Sequence, residues 1–144
     1  MSNLDSLYQE IILEHNRRPR NYRVMEGADR VVKGHNPLCG DALTLWLKLE
    51  GDRVIDASFQ GSGCAISRAS ASMMTTLVKG KTRAEADAMI EQFRGLATGH
   101  TAMDDLPAPL RAFAGVARLP QRVKCAVLAW HTLHSALSGE GSDH

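Results

Sequence analysis

The stretch from Ala42 to Gly61 constrains the fold more than any other. In "ALTLWLKLE", Leu43, Leu45, Leu47 and Leu49 alternate with Thr44, Trp46, Lys48 and Glu50. A period of two marks a strand with one face buried and the other wet. Gly51 and Asp52 then form a turn pair, and "RVIDASFQG" returns as the second arm of a hairpin. Its pattern puts Ile55, Ala57 and Phe59 on one side. Two strands cannot keep such a face out of water alone, so other elements must cover it.

The flanking segments supply the cover. Leu4, Leu7, Ile11 and Ile12 recur at helical spacing and predict an amphipathic helix over 3–15, stopped at "NRRPRN" by Pro19. "DRVVKG" reads as a short strand that ends in the loop holding Cys39. After the hairpin the period changes. "CAISRASASMMTTLVKG" predicts a helix from just after Cys64 to Gly80, with Met73 and Met74 in its core face. Thr82 and Glu85 form a capping box for a second helix through about Phe93, which carries Met89 inward. "LATGHTAMDDLPAPL" is a loop with a short helix behind it. The last helix, "LPQRVKCAVLAWHTLHSAL", has Pro120 in its first turn and Val123, Val127, Trp130, Leu133 and Leu137 on one stripe. Strands followed by helices predict an α+β domain, a small antiparallel sheet of about three strands with helices packed on one face. The tail from 138 to 144 reads as flexible.

Bulk composition narrows the function classes. A chain of 144 residues buries roughly 70% of the surface it exposes when unfolded, so it needs neither disulfide nor metal merely to fold. A formal charge of +1 gives no global field for nucleic acid or an anionic membrane. No apolar run reaches the ~20 residues of a membrane span, and the N-terminus lacks a signal core, which makes the cytoplasm the expected compartment. There, the three cysteines speak for thiol or metal chemistry rather than a disulfide framework.

Those cysteines, Cys39, Cys64 and Cys125, occupy comparable places: a loop before a strand, a strand-to-helix junction, and the first turns of a helix. Such element ends are where side chains distant in sequence converge. With Asp41 they make three sulfurs and one oxygen, a set that suits tetrahedral zinc or an iron–sulfide cluster. A helix N-terminus beside Cys64 favours its thiolate, and Arg122, one turn before Cys125, puts a cation on the same face. Gly40, Gly61 and Gly63 beside the thiols let backbone approach a metal or a reactant. Spacing alone leaves a second reading open, in which each cysteine is a small buried hydrophobe, because no C-x-x-C pair is present. His35, in the loop with Cys39, is an alternative ligand; His131 and His134 fall off the Cys125 face, and His15 and His100 read as exposed. "RRPR" at 17–20 is a solvated basic cluster or a patch for an acidic partner.

Taken in order, Cys39-Gly40-Asp41, "GSGCAIS" and "VKCAVLAW", with the opening "LYQEIILEHNRRPRN", resemble the U-type iron–sulfur cluster assembly proteins. This is the family of IscU, the N-terminal domain of NifU, and SufU. The resemblance implies an α+β fold with a metal site at one end of the sheet, and a PLP-dependent cysteine desulfurase as partner. Residue by residue, Cys39, Asp41, Cys64 and Cys125 match the family's ligand positions. Scaffold-type members carry a histidine before the third cysteine, where this chain has Lys124. They also carry Leu-Pro-Pro-Val-Lys, where this chain has "LPQRVK", with Gln121 and Arg122 breaking the motif.

The stretch from about Lys81 to Arg118 is longer than in scaffold-type members. All three departures resemble the SufU branch, which implies one domain over 1–144 with an insertion at about 81–118. It also implies a zinc-dependent sulfurtransferase working with a SufS-like desulfurase. In that reading Cys39 leaves the metal, accepts persulfide sulfur and passes it to downstream cluster-assembly proteins. Arg122 steadies the anionic sulfur and Asp41 keeps zinc in place. Two alternatives use the same residues: a scaffold for a transient [2Fe–2S] cluster, and a non-catalytic zinc module that activates the desulfurase by docking.

Overall fold

The computed structural model describes residues 3–36, 40–98, 110–113 and 120–138. Helix α1 (Asn3–Arg17) is followed by three strands, β1 (Arg30–Asn36), β2 (Asp41–Glu50) and β3 (Arg53–Ser62). Three helices come after them: α2 (Ala65–Val78), α3 (Arg83–Thr98) and α4 (Pro120–Ser138). The strands form one antiparallel sheet in the order β1-β2-β3. Helix α2 packs against β3 and α4 against β1 and β2, while α1 lies on α2 and α3 on α4. The architecture is α+β, as the sequence pattern requires.

Alternation along β2 holds: Leu43, Leu45 and Leu47 are buried, and Thr44 and Trp46 face the other way. Along β3 it does not hold throughout. Lys48 pairs with Asp56 and Leu49 with Val54, which leaves Ile55 as an extra residue in β3. A bulge of this kind reverses the inward set beyond it. Val54 is therefore buried with Ala57 and Phe59, and Ile55, expected beside them, is exposed.

The edge strand β1 meets α4 closely. Val32, Gly34 and Asn36 point inward, and a Cβ on Gly34 would overlap the Thr132 hydroxyl and touch Leu128. Glycine lets α4 cross directly over the strand. The stripe expected on α4 is part of a broader buried surface, since Ala126, Leu128, Ala129, Thr132 and Ala136 are buried beside Trp130, Leu133 and Leu137. The reason is that α4 touches the sheet, α2 and α3 at once.

Two polar contacts set the register of α4 on α2. The Ser70 hydroxyl donates to the Ala126 carbonyl at 2.6 Å and accepts from Trp130 Nε1 at 3.1 Å. The Trp130 ring stacks on Phe93 of α3 with centroids 4.9 Å apart. Helix α3 begins with the expected capping box, Glu85 Oε1 accepting from Thr82 N–H at 3.0 Å and Thr82 Oγ1 from Glu85 N–H at 3.2 Å. It runs to Thr98, beyond the predicted end near Phe93, because Leu96 and Ala97 are also buried. The short helix expected behind the following loop is a single turn at 110–113, with Leu110 and Phe113 in the core. Met73, Met74 and Met89 are all core residues, as their spacing requires.

His15 departs from expectation. It is half-buried rather than exposed, with Nδ1 2.8 Å from the Ser72 hydroxyl, which also accepts from Arg20 N–H at 2.7 Å. Burial and then the Arg20 charge lower its pKa, against the opposing effect of Glu14. The polar dock between α1 and α2 has no periodic signal in the sequence. Part of the basic cluster is engaged locally: Arg20 and Arg17 reach Glu14 at 3.5 and 3.9 Å. No helix among the described residues is long and apolar enough to cross a membrane. The tail expected to be flexible lies outside the described residues from 139 onward.

Candidate metal centre

Asp41 opens β2, and its place is fixed by the strand ends. It pairs with Asn36 across the β1–β2 connection, where Gly40 N–H donates to the Asn36 carbonyl at 2.9 Å. Gly40 takes φ +72, a left-handed conformation that glycine adopts without steric cost. On the other flank, Gly61 lies near the end of β3 and Gly63 just beyond it. A Cβ on Gly61 would strike the Ala42 carbonyl, and one on Gly63 would strike the Asp41 carboxylate. These two glycines therefore seat the aspartate itself rather than leave room for an incoming reactant.

Asp41 is fully buried. Its Oδ1 accepts from the backbone N–H of Cys64 at 2.9 Å, which ties the start of β2 to the start of α2. Cys64 is the N-cap of α2 and makes no side-chain cap of its own. The other oxygen, Oδ2, is buried without a hydrogen-bond partner among the described residues. A buried carboxylate oxygen left in that state costs roughly 1–3 kcal/mol or more unless something else satisfies it.

Two thiols stand beside that carboxylate. Ligand atoms of Asp41, Cys64 and Cys125 all lie within 4.8 Å of one another. With Zn–S near 2.3 Å, two sulfurs on a tetrahedral ion sit about 3.8 Å apart, so only a small contraction would close the set on a metal. Thiolate sulfur and carboxylate oxygen are a donor set that zinc and iron both accept. The unspent Oδ2 and the two converging sulfurs fit a metal ion. Cys125 comes to this point from α4 through the contact of Ser70 with Ala126 and Trp130, one residue and five residues away in the helix. That role of Ser70 is not legible in the sequence, since a serine in a helix carries no pairing information.

Arg122 extends from the first turns of α4 toward the same sulfurs. Its pKa is raised, first by a hydrogen bond to Cys125 and then by the charges of Cys64 and Cys125 as thiolates. The guanidinium is solvent-exposed. Cys39, the remaining expected ligand, lies outside the described residues. His35 is not part of this cluster: it sits on β1 rather than in a loop, and alternation turns it away from the face of Asn36. His131 is exposed and contacts Arg94 at 3.4 Å, and His134 lies 3.8 Å from Asp87. His100 lies outside the described residues.

A sheet end where a carboxylate and two cysteines from separate elements meet gives this α+β domain a candidate metal centre. The chain belongs to the NifU-like N-terminal domain family, whose family model matches residues 7–139. It is 42% identical over 140 residues to the zinc-dependent sulfurtransferase SufU of Bacillus subtilis (strain 168), covering 96% of this chain and 95% of that protein. It is 39% identical over 139 residues to the iron–sulfur cluster assembly scaffold protein IscU of Streptococcus pyogenes serotype M1, covering 95% and 86%. Among solved structures, a SUF-system protein of Fervidobacterium islandicum AW-1 superposes with a TM-score of 0.86 at 36% identity, covering 92% of this chain and 97% of that one.

Proposed function

We propose that this chain serves iron–sulfur cluster assembly as a zinc-dependent sulfurtransferase, with Cys39, Asp41, Cys64 and Cys125 as ligands of one zinc ion. The observation that carries the reading is the buried Asp41 carboxylate, its Oδ2 without a partner among the described residues, grouped with the thiols of Cys64 and Cys125. Similarity to the B. subtilis zinc-dependent sulfurtransferase supports it. Cys39 is two residues from Asp41, so chain connectivity keeps the two Cα atoms within about 7 Å. Bound zinc would hold the thiols ionised and shield them from oxidation.

The Cys39 thiolate attacks the outer sulfur of a persulfide on the partner, a PLP-dependent cysteine desulfurase of the SufS kind. The partner's S–S bond breaks, its cysteine thiolate departs, and the sulfur is carried on Cys39 with no external oxidant or reductant. Cys39 then hands the sulfur to downstream cluster-assembly proteins. Cys39 is assigned the transfer step because Cys64 caps α2 and Cys125 lies within α4, so both are tied to helices. Arg122 offers positive charge to the anionic sulfur. Asp41, held by Cys64 N–H through Oδ1, keeps its other oxygen for the metal while Cys39 reacts. The working compartment is the cytoplasm.

A second reading, a scaffold that assembles a transient [2Fe–2S] cluster as cargo, is favoured by the identity to the S. pyogenes scaffold protein. Lys124, where a scaffold-type member has histidine, weighs against it. One experiment separates the readings: metal analysis of protein purified without added metal, with desulfurase turnover and mass spectrometry. Near-stoichiometric zinc, one added sulfur mass on Cys39, and loss of stimulation in Cys39→Ala are expected. An oxygen-sensitive iron–sulfur chromophore without zinc would replace this reading with the scaffold. Stimulation without any sulfur on Cys39 would leave a zinc module that acts by docking alone.

A further inference from the structure

The edge strand β1 and the N-terminal half of α4 enclose a shallow cavity of about 180 Å³. Its walls are His35, Asn36, Lys124, Val127, Leu128 and His131. Lys124, Val127, Leu128 and His131 fall at i, i+3, i+4 and i+7, so they form one face of α4 turned to the end of β1. Two wall residues neighbour the thiol site in the sheet and in the chain. Asn36 is the register partner of Asp41, and Lys124 is the neighbour of Cys125 in the chain.

The chemistry of the walls is one-sided. Every ionisable group lining the cavity is basic: one amine and two imidazoles. A guanidinium can only donate, so the contact of Arg94 with His131 Nδ1 at 3.4 Å places the proton of a neutral His131 on Nε2, as a donor. Lys124 is exposed, so its ammonium can reorient onto a ligand. Val127 and Leu128 add an apolar surface. Dividing the volume by ~30 Å³ per water molecule gives room for a molecule of about six heavy atoms. An anionic group on a short carbon chain satisfies charge, surface and size together.

We infer that this cavity is a carboxylate-binding subsite for a small mercapto acid, a molecule of the class of cysteine, which collects sulfur from the metal centre. The inference rests on the sulfur-transfer reading. The ammonium of Lys124 and the imidazoles hold the carboxylate, and the carbon chain lies on Val127 and Leu128. The ligand's thiolate attacks the outer sulfur of the persulfide on Cys39. A new S–S bond forms to the ligand, the Cys39 S–S bond breaks, and the Cys39 thiolate leaves. The proton stays on the transferred sulfur and no redox partner is needed.

The test has two arms. In the first, propionate is titrated into the purified protein while the ring signals of His35 and His131 are followed by NMR. Saturable shifts at both rings are expected, with binding about tenfold weaker in Lys124→Met, since the charge-assisted hydrogen bonds are lost. Lys124 is exposed, so this variant folds, which its spectrum verifies. In the second, the persulfide-loaded protein releases sulfur to 3-mercaptopropionate or to 2-mercaptoethanol. The acid is preferred, and Lys124→Met loses that preference by about tenfold. Shifts that do not saturate, or that persist unchanged in Lys124→Met, overturn the subsite even if Cys39 takes sulfur. Absence of any persulfide defeats the sulfurtransferase reading while propionate binding would still stand. If propionate does not bind but Lys124→Met weakens desulfurase binding, the cavity receives an acidic side chain of that partner and the small-thiol proposal falls.

Discussion

Asp41 and Asp56 belong to the same hairpin and meet opposite treatment. Asp56 lies toward the far end of the sheet and has its acceptors engaged. Arg23 reaches Oδ2 at 2.8 Å, Lys79 reaches Oδ1 at 3.2 Å, and the Ala57 N–H donates to Oδ1 at 2.9 Å. Burial alone would raise its pKa, but the hydrogen bonds from Arg23, Lys79 and Ala57, with the Lys79 charge, outweigh it and hold the carboxyl below its ordinary value. Lys79 also donates to Asn21 Oδ1 at 2.5 Å, so this cluster clamps the 18–29 segment onto α2 and β3. Asp41 is more deeply buried, yet one of its oxygens has no hydrogen-bond partner among the described residues. A satisfied carboxylate belongs to the architecture; a buried one with an oxygen to spare belongs to a site that something else completes.

The sharpest way to break the comparison is to make the two aspartates alike. Asp41→Asn keeps the shape and the hydrogen bond to Cys64 N–H but removes a charged ligand. We expect metal affinity to fall by at least ~100-fold in a chelator competition, since even residues that only support a ligand are worth 10–100-fold. Retention of full affinity would show that Oδ2 does not face the metal. Gly63→Ala tests the seat rather than the ligand. Its Cβ would overlap the Asp41 carboxylate, and its φ of +151 is unfavourable for alanine. Weaker metal binding together with a loss of about 1–3 kcal/mol in urea unfolding is expected.

The far end should respond in stability alone. Asp56→Asn is expected to cost about 1 kcal/mol, because the ion pairs it breaks are partly exposed, and to leave metal affinity unchanged. Acid gives the smallest and most specific signal. The folded-state pKa of Asp56 lies below its unfolded value, so on acidification the unfolded chain takes up this proton first. Its contribution is complete above about pH 4 and is lost as pH falls through the lowered value. Urea midpoints of metal-free wild type and Asp56→Asn should therefore differ at pH 5 and converge as pH falls through the lowered value. A gap that stays constant would mean that Asp56 acts through packing and not through charge.

What the sequence determined by itself was the alternation of β2, the switch to helical spacing after Cys64, the capping box of Thr82 and Glu85, and the candidate ligands at element ends. Each is a local pattern, or a residue type whose chemistry is rare enough to stand out. The tertiary structure decided the rest. The extra residue in β3 put Val54 inside and Ile55 outside, because strand register depends on the partner strand and not on one strand's own pattern. His15 became half-buried because α1 docks on Ser72, a contact 57 residues distant in sequence. Above all, only the fold could spend one Asp41 oxygen on the Cys64 backbone, leave the other without a hydrogen-bond partner among the described residues, and bring two thiols to the same carboxylate. An aspartate in a string of letters has two equivalent oxygens; burial and directional hydrogen bonding make them different.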